Sequence, residues 1–464
     1  MAIPKTAIEY RQLYSQSKWL FASGGASLFW YVSLFPGRIG SDPVQSVILM
    51  RKGESTDWWT SVYFWFLKLS TFNGQSIWLA SLLSLLAIYF SMIYLLYSFP
   101  ENNKKIEKIA FIICLSPLFG NFAVNINHDV FLSSGIFLLI GYSFRLYFKS
   151  HRKIDKYVPF FAVFLLMNAR TGYFIVLAFL IFQLLIIRTY IKIIGYLVTA
   201  MAVFVISSFG ITKTPVPMHF LPVLADLKCV AQHPEARISN DEWDYLETLA
   251  PKEKWLEPKT CSSMDIAISE VRSKKLEYLN NVDFIKNYLS IASNNPAIVI
   301  EAHFQRGSIA LPPPFFQGPE NQVDRNINNP VGLNTNTALQ LGPVVLHPSI
   351  DDETLKIHNP ILRTLESLAL LPSFIINQAS WFWGWGGLWL WPIYIYLIIK
   401  LGERSVKRIF GVTYPIIVTH FLLVAVGPIP TPRYVMATIL LGNVTALFLI
   451  SDILAKSKSR SEKK

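Results

Sequence analysis

The chain has 464 residues, of which 52% are apolar and only 16% charged, and its mean hydropathy is +0.38. Soluble domains carry roughly a quarter charged residues, so a soluble enzyme is excluded as the default reading. Three cysteines exclude a disulfide-rich scaffold, and their spacing excludes a CxxC metal site. The net charge of +12 does not call for nucleic acid, because membrane proteins gather cations in their cytoplasmic segments, and no nucleic-acid motif occurs.

Residues 1–18 contain Glu9, Arg11 and Lys18 and no apolar core, which argues against a cleaved signal peptide and makes the first span the insertion signal. Apolar runs of bilayer length follow at 19–35, 76–98, 109–124, 130–144, 157–169, 171–187 and 190–210, then at 380–399, 409–427 and 433–453. The expected fold is therefore all-α and polytopic, with about ten transmembrane helices and a large, mainly helical outer domain. Residues 1–210 form an N-terminal membrane region of about seven spans with a first outer loop at 36–75. Residues 211–360 form the outer soluble domain, where acidic residues outnumber basic ones. Residues 361–464 hold an interfacial helix, three spans and a basic tail. The run at 157–169 is the shortest and spans only if Lys153 and Lys156 snorkel.

Segments 54–71 and 361–378 mix charges with aromatic or aliphatic residues and read as helices lying on the membrane surface. Within the outer domain, Ser239 to Glu242 reads as a capping box before a helix near 243–249, and 265–292 reads as mainly helical. Cys229 and Cys261 share this domain, which leaves a bridge between them open, while Cys114 falls in a span. The Trp-rich tract 381–391 reads as an aromatic belt rather than a sugar-stacking surface.

The cations set the orientation. With an inner N-terminus, the inner segments hold Lys104, Lys105, Lys108, Arg145, Lys149, Arg152, Lys153, Lys156, Lys400, Arg404, Lys407, Arg408 and the tail lysines, besides Lys5, Arg11, Lys18, Arg188 and Lys192. The short outer segments hold only Arg38, Arg51, Lys52, Lys68, Arg170 and Arg433. The expectation is a multi-pass plasma (inner) membrane protein with both termini inside.

In this topology the polar residues of the short outer segments share one face: Asp42, then Asn127, His128 and Asp129, then Arg170 and Arg433. A transporter would place ionisable groups near mid-membrane, and the spans carry almost none. The pattern points to a reaction at the outer water–lipid boundary. The run LFPGRIGSDPVQSVILMRKG (34–53) resembles the first outer loop of GT-C-type glycosyltransferases, integral membrane enzymes that take a sugar from a polyprenyl phosphate. The likeness extends loosely to NINHDVFLSSG (125–135), NARTGYFIV (168–176), SNNPAIVIEAHFQRG (293–307) and PTPRYVMA (430–437), and departs after Gly53, where relatives carry His-Pro.

Sugar transfer to a hydroxyl needs a base for the acceptor proton, and a carboxylate just beyond a span fits that need, which makes Asp42 the first candidate. Ser41-Asp42-Pro43 equally reads as a plain helix start. The resemblance implies a second catalytic carboxylate at Asp129; the competing reading makes Asp129 the N-cap of its span and His128 interfacial. His128 with Asp129 also leaves a divalent cation open as cofactor, with no metal ligand assigned. Arg170 and Arg433 suit the carrier phosphate, or else anchor to headgroups. His303 and Arg306 reach toward the same site, or form a surface pair. The implied function is transfer of a sugar from a polyprenyl-phosphate donor to a lipid-linked or cell-surface glycan on the outer face, with inversion. The alternatives are a polymerase or ligase of undecaprenyl-linked glycans, and a lipid-linked glycan transporter.

Overall fold

A computed structural model describes residues 7–39, 41–53, 60–148, 153–184, 190–208, 221–257, 261, 281–311, 385–402, 406–427 and 432–461. The described chain is mostly helical, and its two strands are two residues long each. In chain order the first ten helices are α1 (Ala7–Ser33), α2 (Ser41–Arg51), α3 (Ser61–Ser70), α4 (Trp78–Leu96), α5 (Asn103–Leu115), α6 (Pro117–Ala123), α7 (His128–Phe148), α8 (Val158–Leu166), α9 (Arg170–Phe182) and α10 (Tyr190–Ser208). A second group follows: α11 (Leu221–Gln232), α12 (Asn240–Leu249), α13 (Lys252–Leu256), α14 (Asn281–Asn294) and α15 (Pro296–Arg306). The last helices are α16 (Gly386–Leu401), α17 (Val406–Val426) and α18 (Met436–Ser461).

Helix stands at each of the ten apolar runs, but not always in the form expected. Four described helices are long and apolar enough to cross a bilayer: α4, α7, α17 and the Met436–Ser457 part of α18. The run at 109–124 is a broken pair, α5 and α6, bent by 71°. The cause is local. Pro117 lacks an N–H and disfavours helical backbone at Ser116, which turns extended and instead caps α6 by accepting the Phe119 N–H. The Cys114 carbonyl near the end of α5 accepts the Trp30 indole N–H from α1 at 3.0 Å. Helix α8 has nine residues, about 14 Å at 1.5 Å per residue, well short of a hydrocarbon core of about 30 Å.

The helices pack into one extended core in which α7 is central, touching α4, α8, α17 and α18. Polar clusters tie the helix ends on one face. Glu101, after α4, is bonded to Lys105 of α5 (3.0 Å), Lys400 of α16 (2.6 Å) and the Tyr396 hydroxyl (2.9 Å), and Asp452 of α18 holds the same two lysines. Burial alone would raise the Glu101 carboxyl; the bonds from Lys400, Lys105 and Tyr396 outweigh it and hold the group below its usual value. On the same face Arg145 at the end of α7 pairs with the buried Asp155 at 2.9 Å. These charges coincide with the segments whose cations set the orientation.

Helices α11 to α14 build a second, separate core around Leu224, Leu227, Leu246, Trp255, Phe284 and Ile291. The capping box is present with both reciprocal bonds between Ser239 and Glu242. The 281–294 part of the expected 265–292 helix is α14; residues 265–280 and the segment 361–378 lie outside the described residues. Of the segment 54–71, the described part is α3, a helix packed on α2, α4 and α10 with Leu69 and neighbouring Phe72 exposed. Cys229 and Cys261 form a disulfide. The buried Lys228 donates to the carbonyls of Lys254, Trp255 and Glu257, closing the C-terminal end of α13.

Candidate functional site

The first outer loop and the 125–129 segment are distant in sequence and are joined by backbone. Arg38–Ile39 pairs in parallel with Asn125–Ile126, in register Arg38 to Asn125 and Ile39 to Ile126. Gly37 makes this approach feasible: it holds φ +120°, and a side chain there would collide with Ser81. Ser81 in turn donates to the Val124 carbonyl at 2.8 Å, fixing the start of the second strand. Asp42 stands three residues after this pairing as the second residue of α2, so the Ser-Asp-Pro helix start read from sequence is present. His128 and Asp129 stand two and three residues after it, as the first two residues of α7.

The capping of α7 differs from the expectation. The Asn127 side-chain carbonyl accepts the Asp129 N–H at 3.2 Å, so Asn127 does the capping that the competing reading gave to Asp129. The Asp129 carboxylate lies in the first turn, buried, with His128 Nε2 3.3 Å from its Oδ1. Its position also favours a negative charge at the helix dipole. The His128 ring meets the ring of Tyr63 edge-on at 5.8 Å.

The turn ahead of Arg170 is tied to this group through α3. Thr60 accepts the Tyr63 N–H at 3.3 Å and donates to the Asn168 carbonyl at 2.9 Å, two residues before Arg170 opens α9. One short helix thus connects His128, through Tyr63, to the α8–α9 turn, through Thr60. Sequence reading missed this connector. The available signal was a threonine directly before an aromatic helical run.

Arg433 lies in the 3-10 turn Pro432–Val435 ahead of α18, and that turn packs against another, Ser308–Ala310. The side chains of Asp42, Arg170 and Arg433 lie outside what the structure describes; their backbone positions are the finding.

Arg306 has a partner that the sequence did not reveal. It is fully buried and ion-paired with Asp226 of α11, so the expectation of a surface pair with His303 is corrected. Asp226 also accepts from Tyr288 at 3.0 Å and lies 3.1 Å from His303 Nε2. Arg306 Nε and Nη1 meet no partner among the described residues. The next residues dock the second core onto α17: a side chain at Gly307 would collide with the Val424 backbone, and the Ala310 carbonyl lies 2.7 Å from His420 Nδ1. The Trp385 indole donates to the Leu311 carbonyl at 2.7 Å.

Among the described residues no group of three or more His, Cys, Asp or Glu side chains could hold a metal ion. What the cluster can do is acid–base and electrostatic: a buried carboxylate beside an imidazole can hold or relay a proton, and arginines at helix starts can neutralise an anion. The described residues form a mostly helical protein with four helices long and apolar enough to cross a membrane, in which the strand pair brings the segments before α2 and α7 together. Comparison with protein-family models, with curated proteins and with solved structures finds no match to this chain.

Proposed function

We propose that the protein is an inverting membrane glycosyltransferase that moves a sugar from a polyprenyl phosphate to a lipid-linked or cell-surface glycan at the outer face of the plasma membrane. One observation carries the reading: the β-pairing of 38–39 with 125–126 sets the Asp42 segment beside His128 and Asp129, the two outer segments that supply the carboxylates. The ten-span topology with both termini inside belongs to this proposal. Its support is the cation distribution and the Cys229–Cys261 disulfide, since such bonds persist in oxidising compartments and the second core then lies outside.

In the proposed reaction Asp42 takes the acceptor hydroxyl proton as that oxygen bonds to the anomeric carbon. The bond from that carbon to the phosphate oxygen breaks, and the carrier phosphate leaves with the electron pair. Arg170 and Arg433 hold the phosphate as its charge rises. Asp129, supported by His128, orients the sugar hydroxyls. Arg306 is read out of the phosphate grip, because its charge is already matched by Asp226. A transporter is disfavoured because the residues in question lie at helix starts and not in mid-helix.

The test offers membranes containing the protein a panel of radiolabelled polyprenyl-phosphate hexoses and pentoses. Discharge of one donor, with label in a glycan of inverted anomeric configuration, is expected. Donors left intact across the panel, with only flipping of lipid-linked glycan, would overturn the reading.

A further inference from the structure

Helix α15 carries its own two-faced pattern. Ile298 and Val299 pack on the second core and Arg306 is buried in its pair with Asp226, whereas Ala297, Ile300 and Phe304 are exposed on the other side beside the exposed Glu301, whose carboxylate can reach out among the headgroups; Ile300 is 54% and Phe304 43% exposed. The helix ends where the chain seats on the membrane region: Gly307 lies against Val424, two residues from the end of α17. With 21 residues and a rise of 1.5 Å each, α17 is about 31 Å long, so its end coincides with the edge of a hydrocarbon core of about 30 Å. Phe304 precedes Gly307 by three residues, about 4.5 Å along the helix, and the headgroup layer is about 5–7 Å deep on each side. Gly307 lies about 3 Å inside that edge, so whatever the tilt of α15, Phe304 stays within about 3 Å of the boundary between headgroups and acyl chains. Ile300, about 10 Å along the axis, enters the headgroup layer when the helix lies along the surface.

We propose that α15 rests on the lipid surface of the leaflet that meets the end of α17, with Ala297, Ile300 and Phe304 set into the boundary between headgroups and acyl chains. The partner is the bilayer itself. A helix of this kind seats an extramembrane unit at a fixed height above the spans, and the buried Arg306–Asp226 pair transmits that seating to the second core. The inference rests on the membrane reading of α17 and is independent of the sugar-transfer reading.

The test uses the full chain in phosphatidylethanolamine–phosphatidylglycerol vesicles, with a nitroxide attached at Ile300→Cys or Phe304→Cys. Cys114 is buried and Cys229 and Cys261 are bonded, so the introduced thiol is labelled selectively. Relaxation by dissolved oxygen is compared with relaxation by an aqueous nickel chelate. Glu247→Cys, exposed on α12, gives the aqueous reference, and Phe421→Cys, 70% exposed on α17, gives the lipid reference. The expected oxygen-to-nickel ratio at Ile300 and Phe304 is several-fold above that at Glu247 and approaches that at Phe421. A ratio matching Glu247 overturns the proposal, and so does shielding from both reagents, which assigns the stripe to a protein partner. Persistence of the Cys229–Cys261 bond in each variant, read as resistance to thiol labelling, reports that the domain is folded.

Discussion

Replacing Asp226 by Asn tests whether the ion pair with Arg306 holds the second core together. Both side chains are essentially inaccessible, 0% for Arg306 and 1% for Asp226, so solvent screening does not soften the loss. Asparagine leaves a buried guanidinium uncompensated, which costs about 3–5 kcal/mol, and it also weakens the acceptor that Tyr288 and His303 share. Removing both partners together, as Asp226→Asn with Arg306→Met, costs much less, because no isolated buried charge remains. The readout is hydrogen exchange by mass spectrometry of the α11 peptide, 221–232, in the full chain in micelles. Opening that becomes easier by about 3–5 kcal/mol speeds exchange by roughly two to three and a half powers of ten. Unchanged exchange in Asp226→Asn, or equal acceleration in the double variant, would refute the argument.

Three further outcomes are expected. Gly307→Ala, whose new methyl group meets the Val424 backbone, is expected to unseat the turn Ser308–Ala310 at a cost of about 1–3 kcal/mol, seen as faster exchange in residues 307–311 while α12 keeps its protection. The Glu242 carboxyl is buried, which by itself raises it, but the Ser239 N–H and the Ser290, Ser239 and Asn294 side chains together hold it below its usual value. A depressed folded-state value means that its contribution is complete above the unfolded carboxylate range and is lost as pH falls through the folded value; Glu242→Gln should therefore flatten the acid limb of the domain's stability profile. Reporter fusions are expected to give an outside signal at Asn240 and an inside signal at Ser457, and an inside signal at Asn240 would remove the shared outer face.

Apolar runs were legible because a bilayer demands length and hydropathy, both of which survive in a linear reading. The break at Ser116–Pro117 was visible as a proline but was masked by the apolar count around it. The capping box was legible because it spans four residues. The Arg306–Asp226 pair was not, since its partners are 80 residues apart and each sits in a helix whose pattern does not mark it as buried. A shared face for Asp42, His128 and Asp129 was an expectation from the cation pattern; the strand pairing that sets their segments side by side has no signal in two-residue strands. That Asn127 rather than Asp129 caps α7 was a choice between neighbours that only backbone geometry decides.

The central claim is that Asp42 is the base of a sugar transfer. Asn at this position keeps the size of the side chain and caps a helix about as well as Asp, so a purely structural role at the start of α2 would survive the change. A base role would not, because the neutral amide cannot take the acceptor proton. Turnover of the radiolabelled polyprenyl-phosphate sugar is to be measured in membranes with matched amounts of wild-type and Asp42→Asn protein. The account predicts a loss of about a hundredfold or more, and near-normal turnover by Asp42→Asn would contradict it.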